Sequence, residues 1–144
     1  MDSNVDTNFV SEETGTPSES APISAPAPLD QSVLDRLRAL QREGRPSILR
    51  KLGNAYFEAS SEVLETLRDA VTGNDAKGIW QLAHKLRSSS LNLGASELAK
   101  HCKELESLGE SGSTAGAARV FSRIEAEYER ACAALNAELD GEPE

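Results

Sequence analysis

The sequence predicts an all-α fold, an antiparallel four-helix bundle with a short additional N-terminal helix. Three observations carry that expectation. Proline is absent between Pro46 and Pro143, and the same stretch has no run of β-branched residues. Apolar residues recur through it at spacings of three, four and seven, the period of one helix face. Breaks at Gly44, Gly73, Gly94, Gly109 and Gly112 divide the pattern into segments of helix length.

Each element follows in order. Asp30 is the expected N-cap of a short helix over 30–42, with Leu34, Leu37 and Leu40 apolar. Gly44 breaks the chain, and Pro46 suits the first turn of a second helix over 46–72. Its expected core face is Ile48, Leu52, Ala55, Ala59, Val63 and Ala70, with a second stripe of Leu49, Phe57 and Leu64 to receive the first helix. In TGND, 72–75, Gly73 ends that helix and Asn74 caps the next. The third helix, 75–93, turns Ile79, Ala83, Leu86, Ser90 and Leu93 inward, and Gly94 ends it or admits a neighbouring backbone. The fourth, 95–109, buries Leu98, Cys102, Leu105 and Leu108. Gly109 and Gly112 bracket a turn, and Ser113 is the expected cap of a last helix over 114–139, where Phe121, Ile124, Tyr128, Cys132 and Leu135 align. Four amphipathic helices with short loops pack most simply as an antiparallel bundle, the first helix covering one end.

Residues 1–29 differ in kind. They are rich in Ser, Thr, Pro, Ala and acids and contain no Lys or Arg. Such a segment cannot bury enough apolar surface to offset its ordering entropy, so a disordered tail or linker is expected. A disordered acidic C-terminus is expected over 140–144. The net charge of −9 belongs to these ends. Of the 24 acids, five lie in 1–29 and four in 138–144; the remaining fifteen face all 15 bases in a neutral body. That balance disfavours nucleic-acid binding, which needs a basic stripe. No apolar run approaches the ~18 residues of a membrane span. Cys102 and Cys132 fall at apolar helical positions and read as buried thiols of a cytoplasmic protein. No metal-ligand spacing is present, and a monomer is expected.

The chemistry points to the third helix. Taking Ile79 as the core direction, His84 falls about 140° away and should face solvent. Trp80 and Leu91 flank it on the same side, and exposed apolar groups beside a histidine suggest a docking patch. Arg87, one turn along, can reach an anion bound to the ring. Ser88 is small, so another protein's loop can come close. A neutral imidazole is a competent nucleophile for a phosphoryl group, and a guanidinium offsets the new charge through charge-assisted hydrogen bonds. Lys85 reads most simply as a solvated lysine, and His101 as a half-buried residue of the fourth helix. Other chemistries fit worse. No Gly-rich phosphate loop occurs, and the Glu-x-x-His pairs of a di-iron bundle are missing.

The stretch LAHKLRSSSLNLGASELAKHCKELE, 82–106, resembles the signature of histidine-containing phosphotransfer (HPt) domains of two-component phosphorelays. Ala83, His84, Leu86, Arg87, Ser89, Ser90, Gly94, Ala95, Cys102, Leu105 and Glu106 fit its pattern, and the resemblance spans about 30–138. It implies a phosphocarrier that takes a phosphoryl group from one receiver-domain aspartate and passes it to another, through Nε2 of His84. Arg87 would stabilise the phosphate. Glu106 would stand near the histidine from the next helix, where a carboxylate can orient only a protonated ring nitrogen. Lys85, Ser88, Trp80, Leu91 and Gly94 would complete the docking surface. Implied partners are response-regulator receiver domains and a hybrid histidine kinase. No cofactor is implied in this chain, with Mg²⁺ held by the receiver. Ser88 stands where the family favours Gly, and Leu91 where small residues are usual. These departures keep a second reading in view: a module of the same fold that docks or sequesters a receiver or kinase without transfer.

Overall fold

The computed structural model describes residues 26–142. Among them are five helices: α1 (Gln31–Ala39), α2 (Ile48–Thr72), α3 (Ala76–Asn92), α4 (Ser96–Glu110) and α5 (Ala117–Asp140). Each of α2 to α5 packs on its neighbour in sequence, and α2 also meets α5, which closes a ring of four. The short connections 73–75 and 93–95 leave no room for a crossover, so consecutive helices run antiparallel. The expected all-α four-helix bundle is therefore observed, with α1 as the additional short helix.

The caps explain the boundaries. Asp30 accepts from the Ser32 amide at 3.0 Å and starts α1 as expected. Ser47 caps α2 through the Arg50 amide, so Pro46 lies just before the helix and not in its first turn. Asn74 does not cap α3. It takes the left-handed conformation at φ 54, which Asn tolerates, and Asp75 caps instead through the Gly78 amide. Ser113 does not cap the last helix either: its hydroxyl accepts from Ala115, the turn continues through Gly116 at φ 79, and α5 begins at Ala117.

The core face of α2 differs from the expected one. Leu49, Gly53, Tyr56, Ser60, Leu64, Leu67 and Ala70 are buried, whereas Leu52, Ala55 and Ala59 are exposed. Apolar periodicity alone chose the wrong phase because the true face contains a glycine, a serine and a tyrosine. Gly53 leaves space for Leu139, whose methyl would stand 3.0 Å from an added Cβ. Tyr56 and Ser60 are tolerated inside because each hydroxyl has a partner: Tyr56 shares a hydrogen bond with Ser90 at 2.9 Å, and Ser60 with Tyr128 at 2.8 Å. The inward positions expected of α3 are buried, as are Leu98, Cys102 and Leu105 of α4. Both cysteines are free thiols, Cys102 buried and Cys132 half-buried. Burial pushes the Cys102 thiol up to about 12.

Two glycines set helix approaches. Gly109 lies inside α4, not in a turn, and an added Cβ would meet the Ala76 carbonyl and the Trp80 amide at 2.6 Å. Gly94, at φ +80, ends the α3 turn and accepts the Asp30 amide at 2.7 Å, which seats the start of α1.

The chain ends are more tied down than expected over the described residues. Leu29 is buried, and the Pro26 carbonyl accepts from Arg130 at 3.0 Å. At the other end α5 continues to Asp140. Glu142 then accepts from Arg38 Nε at 2.7 Å and Ser47 Oγ at 2.9 Å. The expected boundaries at 29 and 140 therefore fall inside packed structure; the remainder of both expected tails, 1–25 and 143–144, lies outside the described residues.

Candidate functional site

Helix α3 is pinned inward by Ile79, Ala83, Leu86 and Ser90, all fully buried. That fixes its outer face. Trp80 is 37% exposed, Leu91 is 45% exposed, and the His84 side chain between them is 55% exposed. Lys85 and Ser88 are exposed on the same helix. The phase read from the sequence thus places His84 where expected.

Glu106 organises what surrounds the ring. The buried Leu98, Cys102 and Leu105 orient α4 so that Glu106 turns toward α3. Its Oε2 lies 2.8 Å from His84 Nδ1, and its Oε1 accepts from Arg87 Nε at 2.7 Å. Burial raises the Glu106 pKa, but hydrogen bonds and charge from Arg87 and His84 outweigh it, and the carboxyl sits below its usual range. An ionised carboxylate only accepts hydrogen bonds, so Nδ1 must carry the ring proton. The 3.3 Å approach of Arg87 Nη2 to Nδ1 cannot then be a hydrogen bond to a lone pair; it is a proximity. Among the described residues Nε2 has no hydrogen-bond partner. Its lone pair therefore faces outward on an exposed ring.

Arg87 differs from the expectation in one respect. It is not waiting free beside the ring but is paired with Glu106, its side chain 25% exposed. Its Nη2 stands 3.3 Å from His84 Nδ1. Gly94, expected in the docking surface, is buried beyond the end of α3. It lies ten residues along, about 15 Å at the helical rise, and packs on Asp30 and Val33 of the α1 segment. Two residues went unnoticed in the sequence: Gln81 and Glu110 line a cavity of about 390 Å³ with Trp80, His84 and Glu106. Glu110 is one turn beyond Glu106, a spacing on one helix face that is readable in the sequence. No cluster of three or more metal-ligating side chains occurs among the described residues.

The arrangement can present a tautomer-fixed nucleophilic nitrogen to a partner, with a carboxylate behind the ring and a guanidinium beside it. Comparison with known proteins decides the family. The Hpt domain model matches residues 51–134. This chain belongs to the Hpt domain family. Histidine-containing phosphotransfer protein B from Pseudomonas aeruginosa PAO1 is 30% identical, with a TM-score of 0.71 over 80% of this chain and 96% of that one. MtHPt2 from Medicago truncatula, at 21% identity and a TM-score of 0.64 over 79% and 82% of the two chains, shares the fold. Multistep phosphorelay regulator 1 of Schizosaccharomyces pombe is 27% identical over 94 residues, 65% of this Hpt chain. The match covers only 32% of that relative's length. Histidine-containing phosphotransfer protein 4 of Arabidopsis thaliana is 22% identical over 102 residues, 69% of this chain and 80% of that protein. Membership of the Hpt family supports a phosphorelay role for the chain. No helix among the described residues is long and apolar enough to cross a membrane.

Proposed function

We propose that this Hpt chain is a phosphocarrier in which His84 takes a phosphoryl group from the aspartyl phosphate of one receiver domain and passes it to the aspartate of another. The observation that carries the reading is the 2.8 Å contact between His84 Nδ1 and Glu106, which leaves Nε2 as the exposed nucleophile. The Nε2 lone pair attacks phosphorus, an N–P bond forms, and the P–O bond to the aspartate breaks with the carboxylate leaving. The ring keeps its Nδ1 proton and becomes positively charged. Glu106 offsets that charge, as a carboxylate behind an imidazole does in a hydrolase triad. We assign Arg87 the role of meeting the incoming phosphoryl oxygens from its place beside the ring. The return step reverses these bonds at the second receiver.

Receiver domains and a hybrid histidine kinase are the partners this reading needs, in the cytoplasm, with Mg²⁺ on the receiver. Trp80 and Leu91 provide the apolar contact, and Lys85 and Ser88 border it. Positioning supplies most of the catalysis in such a transfer, so this chain needs no phosphate loop of its own.

Mixing the protein with a phosphorylated receiver tests the reading. Label should appear on His84, and His84→Gln should lose it while keeping the wild-type circular dichroism spectrum and melting temperature. Demonstrable binding without label on the wild-type chain would replace the carrier with a docking module of the same fold.

A further inference from the structure

A second feature lies away from His84. Between α4 and α5 runs a groove of about 690 Å³, lined by Lys100, Lys103, Arg119 and Arg123 around the single acid Glu104. In a body with equal numbers of acids and bases, this is a local excess of positive charge. Arg123 is spent on Glu104 only at 3.6 Å, and Lys100 pairs with Glu97. Lys103 and Arg119 have no acidic partner among the described residues.

The same helix receives the start of the described chain. Arg119, Arg123 and Arg130 are four and seven residues apart on α5, so they form one stripe within about 40°. Arg130 Nη2 donates to the Pro26 carbonyl at 3.0 Å. The preceding residues, 1–25, thus join the bundle at the end of the stripe that lines the groove. They carry Asp2, Asp6, Glu12, Glu13 and Glu19 and no Lys or Arg. From Arg130 to Arg119 is about 16 Å along the helix. Seven extended residues span up to about 23 Å, which brings Glu19 within reach of Arg123 and Arg119. About six or seven further extended residues are long enough to bring Glu13 and Glu12 to Lys103 and Lys100.

We propose that residues 1–25 dock back on their own chain, with their carboxylates in the basic groove between α4 and α5. The occupant is set by charge complementarity, by the point where the segment meets α5 and by its length. Glu106 faces the opposite flank of α4, so an occupied groove leaves His84 open.

The test uses the full chain. In ¹⁵N spectra, the combined variant Asp2→Asn, Asp6→Asn, Glu12→Gln, Glu13→Gln and Glu19→Gln should shift resonances of Lys103, Ser107, Arg119 and Arg123. Raising salt to about 1 M, where screening acts within about 3 Å, should move the same resonances of the wild type. Carbodiimide should cross-link Lys100 or Lys103 to a carboxylate of 1–25 within one chain, and Arg119→Glu should reduce that yield several-fold. Groove resonances that do not move, shifts that grow with protein concentration, or a cross-link indifferent to Arg119→Glu would each overturn the proposal.

Discussion

One carboxylate serves two partners: Glu106 holds His84 Nδ1 at 2.8 Å with one oxygen and Arg87 Nε at 2.7 Å with the other. The ring's tautomer and the guanidinium's position are therefore set by the same side chain, which comes from a different helix than either of them.

Glu106→Ala should slow labelling of His84 about tenfold, the effect of about 1.4 kcal/mol in a transition state. Glu106→Gln should slow it less, because the amide oxygen can still accept from Nδ1 while the charge is lost. Initial rates with a phosphorylated receiver measure both. The alanine variant should also change the pH profile of labelling, since nothing then selects the Nδ1-protonated ring; an unchanged profile would reduce Glu106 to a packing role.

Arg87→Ala should slow transfer and shorten the lifetime of label on His84, followed by loss of radioactivity after the receiver is removed. Arg87→Lys keeps the charge but not the Nε donor, so it should fall between. Because Arg87 and Glu106 touch, their effects should not add: a double-mutant cycle should return a coupling of about 0.5–3 kcal/mol.

Gly109→Ala should destabilise the bundle by about 1–3 kcal/mol, since the new methyl would meet α3 backbone at 2.6 Å. Thermal unfolding should show a melting point several degrees lower. Trp80 is the only tryptophan of the chain and its backbone is what the methyl strikes, so its emission should shift as well. Wild-type emission and melting together would disprove the close approach.

Acid should loosen both carboxylate junctions. Hydrogen bonding from Arg38 holds Glu142 below its usual range, and Arg87 and His84 do so for Glu106 against its burial. A carboxyl that binds protons more weakly when folded stabilises fully above its unfolded value, near about 4.3. That stability is lost as pH falls through the lower folded value. The urea midpoint should drop below about pH 4. Glu142→Gln should be less stable at neutral pH by about 1 kcal/mol and show a shallower acid limb, which a midpoint-versus-pH series would reveal.

Much of this was legible in the residues. The helix count, the outward phase of His84 and the inner face of α3 follow from spacing, because Ile79, Ala83 and Leu86 are apolar where the core needs them. Spacing failed on α2, where Gly53, Tyr56 and Ser60 face inward. A glycine chosen for contact with Leu139 and a hydroxyl paired across the core look polar in a one-dimensional pattern. The cap of α3 was ambiguous for a similar reason: in TGND either Asn74 or Asp75 has the chemistry, and only the backbone angle decides.

Residue spacing is enough to put an imidazole outside a helical bundle with a guanidinium one turn away, since a helix converts spacing directly into direction. Which ring nitrogen is free depends instead on how α3 and α4 pack. The distance between α3 and α4, set by buried side chains and by the missing Cβ of Gly109, brings Glu106 onto Nδ1 and Arg87 together. Contacts between residues twenty positions apart depend on how two helices pack, and no periodicity within either helix encodes that.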